Sequence, residues 1–397
     1  MSRSARSAVL LLALIAFFPR GAAGAEKWGT GALMVIVERE AGGVTVVDSV
    51  RHRVLGRVGG LGVMHHASIS FSRDARWAFV VTRDGWLNKV DLLELRIENR
   101  VRVGASTIGL TVTQDGRRVA VSNYDPPDIR IYDIESLAEL AVIPALREKE
   151  GTTIPSRTVG LVNAPENLLI FSLMDADGIW VVDAGKPGFP VVKKFWDVGR
   201  MPFDGVLSSN GRTYVAGFFH SPWMARIDAW KLDGVSRVSL NEPGKSYDKH
   251  PVLKIPHLKG WSEAAGMIFA PVVGEKRLAV FGAADGGFVR SIPLAGTPVF
   301  AVARPDGREI WVNFSGDDAD TIQIVDVESL SVAATLKPGK RIFHMAFTPK
   351  GEAAYVSANK SDQVVVYDTA TRKELERLPI LRPSGIFGTD RAHKFGL

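Results

Sequence analysis

A short pattern returns along this chain: two or three β-branched or aromatic residues, an aspartate, a polar stretch and a second apolar run. It reads VTVVDSVRHRVLGRV, LNKVDLLELRIENRV, IRIYDIESLAELAVI, IWVVDAGKPGFPVVKKF, ARIDAWKLDGVSRV, TIQIVDVESLSVAATL and VVVYDTATRKELERL. The aspartates are Asp48, Asp91, Asp133, Asp183, Asp228, Asp326 and Asp368, spaced mostly 41 to 50 residues apart. One gap is double, and AVFGAADGGFVRSI around Asp285 fills it as a degenerate copy. About halfway between the aspartates a second marker recurs: SRDARWAFV, TQDGRRVAV, SSNGRTYVA, RPDGREIWV and TPKGEAAYV. Asp-Gly, Asn-Gly and Lys-Gly supply the positive φ of tight hairpins, and the alternating residues after them fit half-buried strands.

Each unit therefore reads as strand, hairpin, strand, Asp-turn, strand. Repeats of this length built from short strands specify a β-propeller. Eight copies predict an all-β, eight-bladed ring, with seven blades as the alternative if the Asp285 copy fails. The segment from Thr30 to Asp48 holds only part of a first blade, and the C-terminal PSGIFGTD offers one more strand. Pairing of the two ends would close the ring and remove its open sheet edges. The repeating aspartates are expected to be turn residues that accept backbone N–H groups.

Residues 1–25 read as a cleaved secretory signal. Arg3 and Arg6 precede an apolar run from Ala8 to Phe18, and Ala23-Gly24-Ala25 offers a cleavage site before Glu26. The run is too short to span a bilayer. The expectation is an exported, soluble periplasmic protein with one propeller domain, 26–397. The chain has no cysteine, so it has no disulfide, thiol nucleophile, iron–sulfur ligand or C-x-x-C-H haem attachment. Formal charge is +6, and loss of Arg3, Arg6 and Arg20 with the leader leaves +3, with no basic block to mark a nucleic-acid surface. GTGALM at Gly29 lacks the third glycine of a dinucleotide loop, and the acidic GDDAD at Gly316 lacks EF-hand spacing.

In a propeller, chemistry sits on loops at the mouths of the central channel. Residues that the repeat does not require collect at blade entries and exits. They are His65-His66, Arg83, Asn123-Tyr124, Phe203-Asp204, His220, His257, Arg341 with His344, and Arg391 with His393. Imidazole beside arginine and flat aromatic surface suits a planar, anionic, iron-containing macrocycle.

The stretches MHHASISFSRDARWAFVVTRDGWLNKVDL, VAVSNYDPP, RIFHMAFTPKGEAAYVS and RPSGIFGTDRAHKFGL resemble the NirF family of haem d1 biosynthesis proteins of denitrifying bacteria. The likeness spans the whole mature chain. The d1 domain of cytochrome cd1 nitrite reductase and NirN are similar more distantly. The resemblance implies an eight-bladed periplasmic propeller that binds haem d1 or a precursor such as dihydro-haem d1 without covalent attachment. It assigns the axial iron ligand to His66, with His65 as the adjacent alternative. It matches Arg83 to an arginine of the reductase domain, and Phe203 to the position of a distal histidine there, next to Asp204-Gly205. His257 corresponds loosely to a second distal histidine. With Phe203 in place of a proton donor and no electron-relay haem, nitrite reduction is not expected.

Two roles follow from the resemblance. One is an oxidoreductase of haem d1 maturation, with Asp204, Tyr124, His257 and His344 as candidate proton carriers. His66, Arg83, Asn123, Phe203, His220, Arg341 and Arg391 would then hold the tetrapyrrole. The other is a carrier that hands the precursor to NirN or to the nitrite reductase. Whether the chain is a monomer or a homodimer stays open.

Overall fold

The structure is a computed structural model, and it describes residues 28–239, 241–245 and 260–394. Eight four-stranded antiparallel sheets form one closed ring. Blades 2 to 8 occupy 68–102, 106–144, 158–196, 202–239, 262–293, 297–336 and 342–379. Blade 1 is composite: three strands from 33–58 are joined by Pro383–Gly388 from the other end of the chain. Met34 faces Gly388, Val35 faces Phe387 and Ile36 faces Ile386, so the late strand is the innermost of its blade. All six residues of Leu33–Glu38 are buried. Unclosed, that edge would present both apolar side chains and unpaired backbone groups. The Asp285 copy is a complete blade, which removes the seven-bladed alternative. Its pattern is faint because the third strand ends at Gly282 and the aspartate falls three residues later, where it still accepts from Gly287 N.

The aspartates act as turn acceptors. Asp48 Oδ1 accepts from Val50 and Arg51, Asp91 Oδ1 from Leu93 and Glu94, Asp133 Oδ1 from Glu135 and Ser136, and Asp228 Oδ1 from Trp230 and Lys231. The halfway marker is a second device of the same kind. Ser72, Thr113, Ser208 and Thr348 each accept from the amide five residues on, closing the hairpin between first and second strands. Between blades, interleaved valine, isoleucine and aromatic side chains make separate apolar clusters around the ring. Each such side chain contributes roughly 1.5–3 kcal/mol of burial.

Three features position the site. Loops between blades and loops between second and third strands share one end of the ring, as antiparallel order requires. The innermost strands of blades 1, 3, 4, 5, 7 and 8 all break register near that end. Such bulges re-aim side chains. A hairpin absent from the sequence expectation, Leu146–Lys149 with Thr152–Pro155, stands between blades 3 and 4. Arg147 anchors it to Ala176 O and Asp197 Oδ2, each at 2.8 Å. Among the described residues, no helix is long and apolar enough to cross a membrane.

Candidate functional site

His65 and His66 lie exposed on the link from blade 1 to blade 2. His66 adopts φ 60, a left-handed conformation that histidine tolerates better than most residues and that sets it apart from the strand that follows. The link is held from below: Val63 N donates to Asp84 Oδ1 at 2.9 Å, and Arg83 N donates to Val63 O at 2.8 Å. Gly62, at φ 132, has no room for a Cβ, which would fall 2.8 Å from both Asp84 Oδ1 and Thr82 Oγ1. Arg39 Nη2 donates to His65 Nδ1 at 3.0 Å. The lone pair of His65 Nδ1 is therefore taken, and its Nε2 carries the proton.

Two arginine–aromatic groups share this end of the ring. In the first, Arg39 and Arg341 place their Cζ atoms 5.2 and 5.1 Å from the Phe343 ring centre. Burial lowers the Arg39 pKa, Glu40 opposes that, and nearby Arg341 lowers it further. In the second, Arg83 and Arg157 lie 4.5 and 5.4 Å from the Tyr124 ring centre. Burial raises the Tyr124 pKa and the charge of Asp204 adds to it, while Arg83 and Arg157 pull it down. Arg157 is itself held by Asp175 through both carboxylate oxygens.

Beside Tyr124, Phe203 packs with Ile108, Val159 and Met174, and its ring centre lies 4.7 Å from that of Phe219. Phe203 and Asp204 form the bulge of the blade 5 inner strand, and both are buried. Gly160 of blade 4, at φ 60, makes that bulge possible, because a Cβ there would meet Phe203 O at 2.7 Å. His220 is exposed on the next loop, its ring centre 6.5 Å from that of Phe219.

The other expected residues stand apart. Asn123 is buried, and its side chain is spent on neighbours: Nδ2 donates to Val103 O at 2.8 Å and Asp128 Oδ1 at 2.6 Å, while Oδ1 accepts from Thr107. It fastens the blade 3 mouth and is not turned to a ligand. His344 is buried in the blade 8 inner strand, where Nδ1 accepts from Ile386 N at 3.2 Å and the ring meets Phe300 edge-on. Arg391 lies past the inner strand of blade 1, at the opposite end of the channel from Arg39 and Arg382, because Pro383–Gly388 runs from one end to the other. His257 lies outside the described residues.

The sequence reading brought His65, His66, Arg83, Tyr124, Phe203, Asp204, His220 and Arg341 to one end, and missed Arg39 and Arg157. A signal for Arg157 existed. The residue immediately before an inner strand stands at the mouth, and Arg157, Arg341 and Arg382 all hold that position.

Residues 28–392 match the model of the cytochrome D1 heme domain family. Protein NirF of Pseudomonas aeruginosa is 43% identical over 370 residues, covering 93% of this chain and 94% of that protein. Protein NirF of Stutzerimonas stutzeri is 41% identical with the same coverage. The dihydro-heme d1 dehydrogenase of Pseudomonas aeruginosa is 30% identical, covering 89% of this chain and 70% of that protein. Among solved structures, the dihydro-heme d1 dehydrogenase NirN in complex with DHE superposes with a TM-score of 0.79 at 26% identity, covering 91% of this chain and 76% of that one. Apo AztD from Citrobacter koseri, at 14% identity and TM-score 0.63 with 89% and 96% covered, shares the fold.

Proposed function

The chain belongs to the cytochrome D1 heme domain family, among the NirF proteins, and from that premise we propose that it binds a late d1-type tetrapyrrole in the periplasm and takes part in haem d1 biosynthesis. One observation carries the reading: an exposed imidazole in a strained, pinned loop shares its mouth with two arginine–aromatic groups. The substrate, dihydro-haem d1 or a close precursor, brings iron, a flat ring and several carboxylates. His66 is the axial ligand. Arg39, Arg341 and Arg83 pair with carboxylates, where each charge-assisted hydrogen bond contributes about 1.5–3 kcal/mol. Phe203, Phe219 and Tyr124 cover a ring face and keep water from it.

An oxidoreductase acting on ring side chains needs a proton acceptor and an outlet for electrons. Asp204 beside Tyr124 is the acid–base pair of this reading. Without cysteine, the protein offers no cysteine-bound redox centre, and an oxidation of a ring side chain would need an outside acceptor for its electrons. The burial of Asp204, 5% exposed, favours a second reading: a carrier that needs no base and delivers its cargo to NirN or to nitrite reductase.

The test is an absorption titration of the mature protein with dihydro-haem d1. Wild type should give a low-spin spectrum, and His66→Ala should lose it; an unchanged spectrum in that variant sinks the ligand assignment. Asp204→Asn then separates the readings. Normal binding with no haem d1 formed in a complementation assay supports an enzyme, and normal haem d1 formation supports a carrier.

A further inference from the structure

The end of the channel opposite the histidine loop is built around two guanidinium groups, Arg73 and Arg391, whose acidic neighbours, Asp115 and Asp390, are ion-paired to Arg118 and Lys394. The chain finishes its inner strand at Gly388 and turns through Thr389–His393. Arg73, on the first hairpin of blade 2, donates to the carbonyls of Ala392 and Thr113 and keeps its Nε buried without a partner. Arg391 lies 4.9 Å above the Phe387 ring. Among the described residues, neither forms an ion pair. The acid nearest in charge to Arg391 is Asp390, and Lys394 already engages it.

Both arginines line a narrow recess together with Ser70, Thr111 and Asn163. Arg391 also faces a cavity of about 690 Å³ that passes His393 and reaches His344. Another cation on that wall, Arg304, is committed to Asp306 and Glu309. Glu263, across the cavity, accepts from Ser209 N. Burial lowers the pKa of both guanidiniums, with Asp115 opposing at Arg73 and Asp390 at Arg391, which comes to about 10, so both stay charged at neutral pH.

Desolvating two cations whose acidic neighbours are ion-paired elsewhere is unfavourable unless an anion joins them. A guanidinium fork matches a planar edge of two oxygens, and the cavity lies in the size range of small-molecule sites. We propose that this end of the channel binds a small organic carboxylate, held by Arg391 and backed by Arg73. The length of an inner strand, roughly 20 Å, separates it from the histidine mouth, so it is a second site and independent of the tetrapyrrole reading.

Succinate, with chloride at matched ionic strength as the control, can be titrated against the mature full-length protein, following the thermal midpoint and the heat of binding. Succinate should raise the midpoint by about 2 °C or more at saturation, and chloride should not. Arg391→Lys keeps the charge but loses the fork, and should weaken succinate at least tenfold. His66→Ala should leave the succinate response intact. No response in wild type, an equal response to chloride, or equal succinate affinity in Arg391→Lys overturns the site. A response to nitrate matching that to succinate would reassign it to inorganic oxyanions and overturn the organic assignment.

Discussion

Arg39 donates to His65 Nδ1, and that one contact separates two adjacent histidines that look equivalent in the chain. A ring nitrogen that already accepts a hydrogen bond is not available to a metal, and the other nitrogen of that ring carries the proton. His66 adopts a positive φ on the same exposed link. This gives a double-variant prediction. His66→Ala should lose the low-spin spectrum with dihydro-haem d1, whereas Arg39→Gln with His66→Ala should regain part of it through the released His65. Arg39→Gln alone should keep the spectrum but bind about tenfold or more weakly, reflecting one lost charge-assisted contact.

The hairpin between first and second strands is the element that repeats most faithfully, and its sequence is not uniform. Gly116, Gly211, Gly307 and Gly351 hold φ 69, 72, 71 and 81, while blade 2 uses Ala75 at φ 58. An alanine in that conformation costs roughly 1–2 kcal/mol, which the burial of its methyl group in the blade 1–2 cluster partly offsets. Gly211→Ala has no such offset, since its Cβ would stand 2.6 Å from Pro165 Cγ. It should destabilise by about 2–3 kcal/mol, whereas Ala75→Gly should change stability by less than about 1 kcal/mol, both read by denaturant unfolding.

The Asp-turns carry a pH signature at the same scale. Burial alone would raise the Asp91 pKa, but Arg76 and the amides of Leu93 and Glu94 outweigh it and bring it down. Ser136, Ser329 and Thr371 lower Asp133, Asp326 and Asp368. A carboxylate with a depressed folded-state pKa stabilises fully above its unfolded value near 4 and loses that contribution as pH falls through the folded value. The thermal midpoint should therefore be insensitive to these turns above about pH 5 and fall on acidification below about pH 4.

For the ring as a whole, closure rests on residues far apart in the chain. Thr389 Oγ1 accepts from Leu33 N, and Ile386 faces Ile36. A chain ending at Arg382 would leave Leu33–Glu38 as an apolar open edge. It should elute as aggregate in size-exclusion chromatography, or lose the cooperative unfolding of the full ring; a stable monomer would contradict the closure argument.

The fold was legible because each blade is a local unit. Its aspartate turn, hairpin marker and alternating strands lie within about 45 consecutive residues, and the terminal strands could be matched by what each end lacked. The mouth was legible in part, since loop residues stand out against a repeat. Arg39 and Arg157 did not stand out, because charged loop residues abound and only neighbouring blades show which of them meet aromatic rings. Arg391 was misgrouped with the mouth for a related reason. A strand has two ends, and the sequence alone does not tell which end of the closing strand shares the histidine face. By itself the sequence determined the blades, because those depend on contacts between near neighbours, while the structure chose eight over seven by completing the Asp285 blade. Only the tertiary structure decided which charges share a mouth, because that depends on strand direction and on blades meeting across the ring.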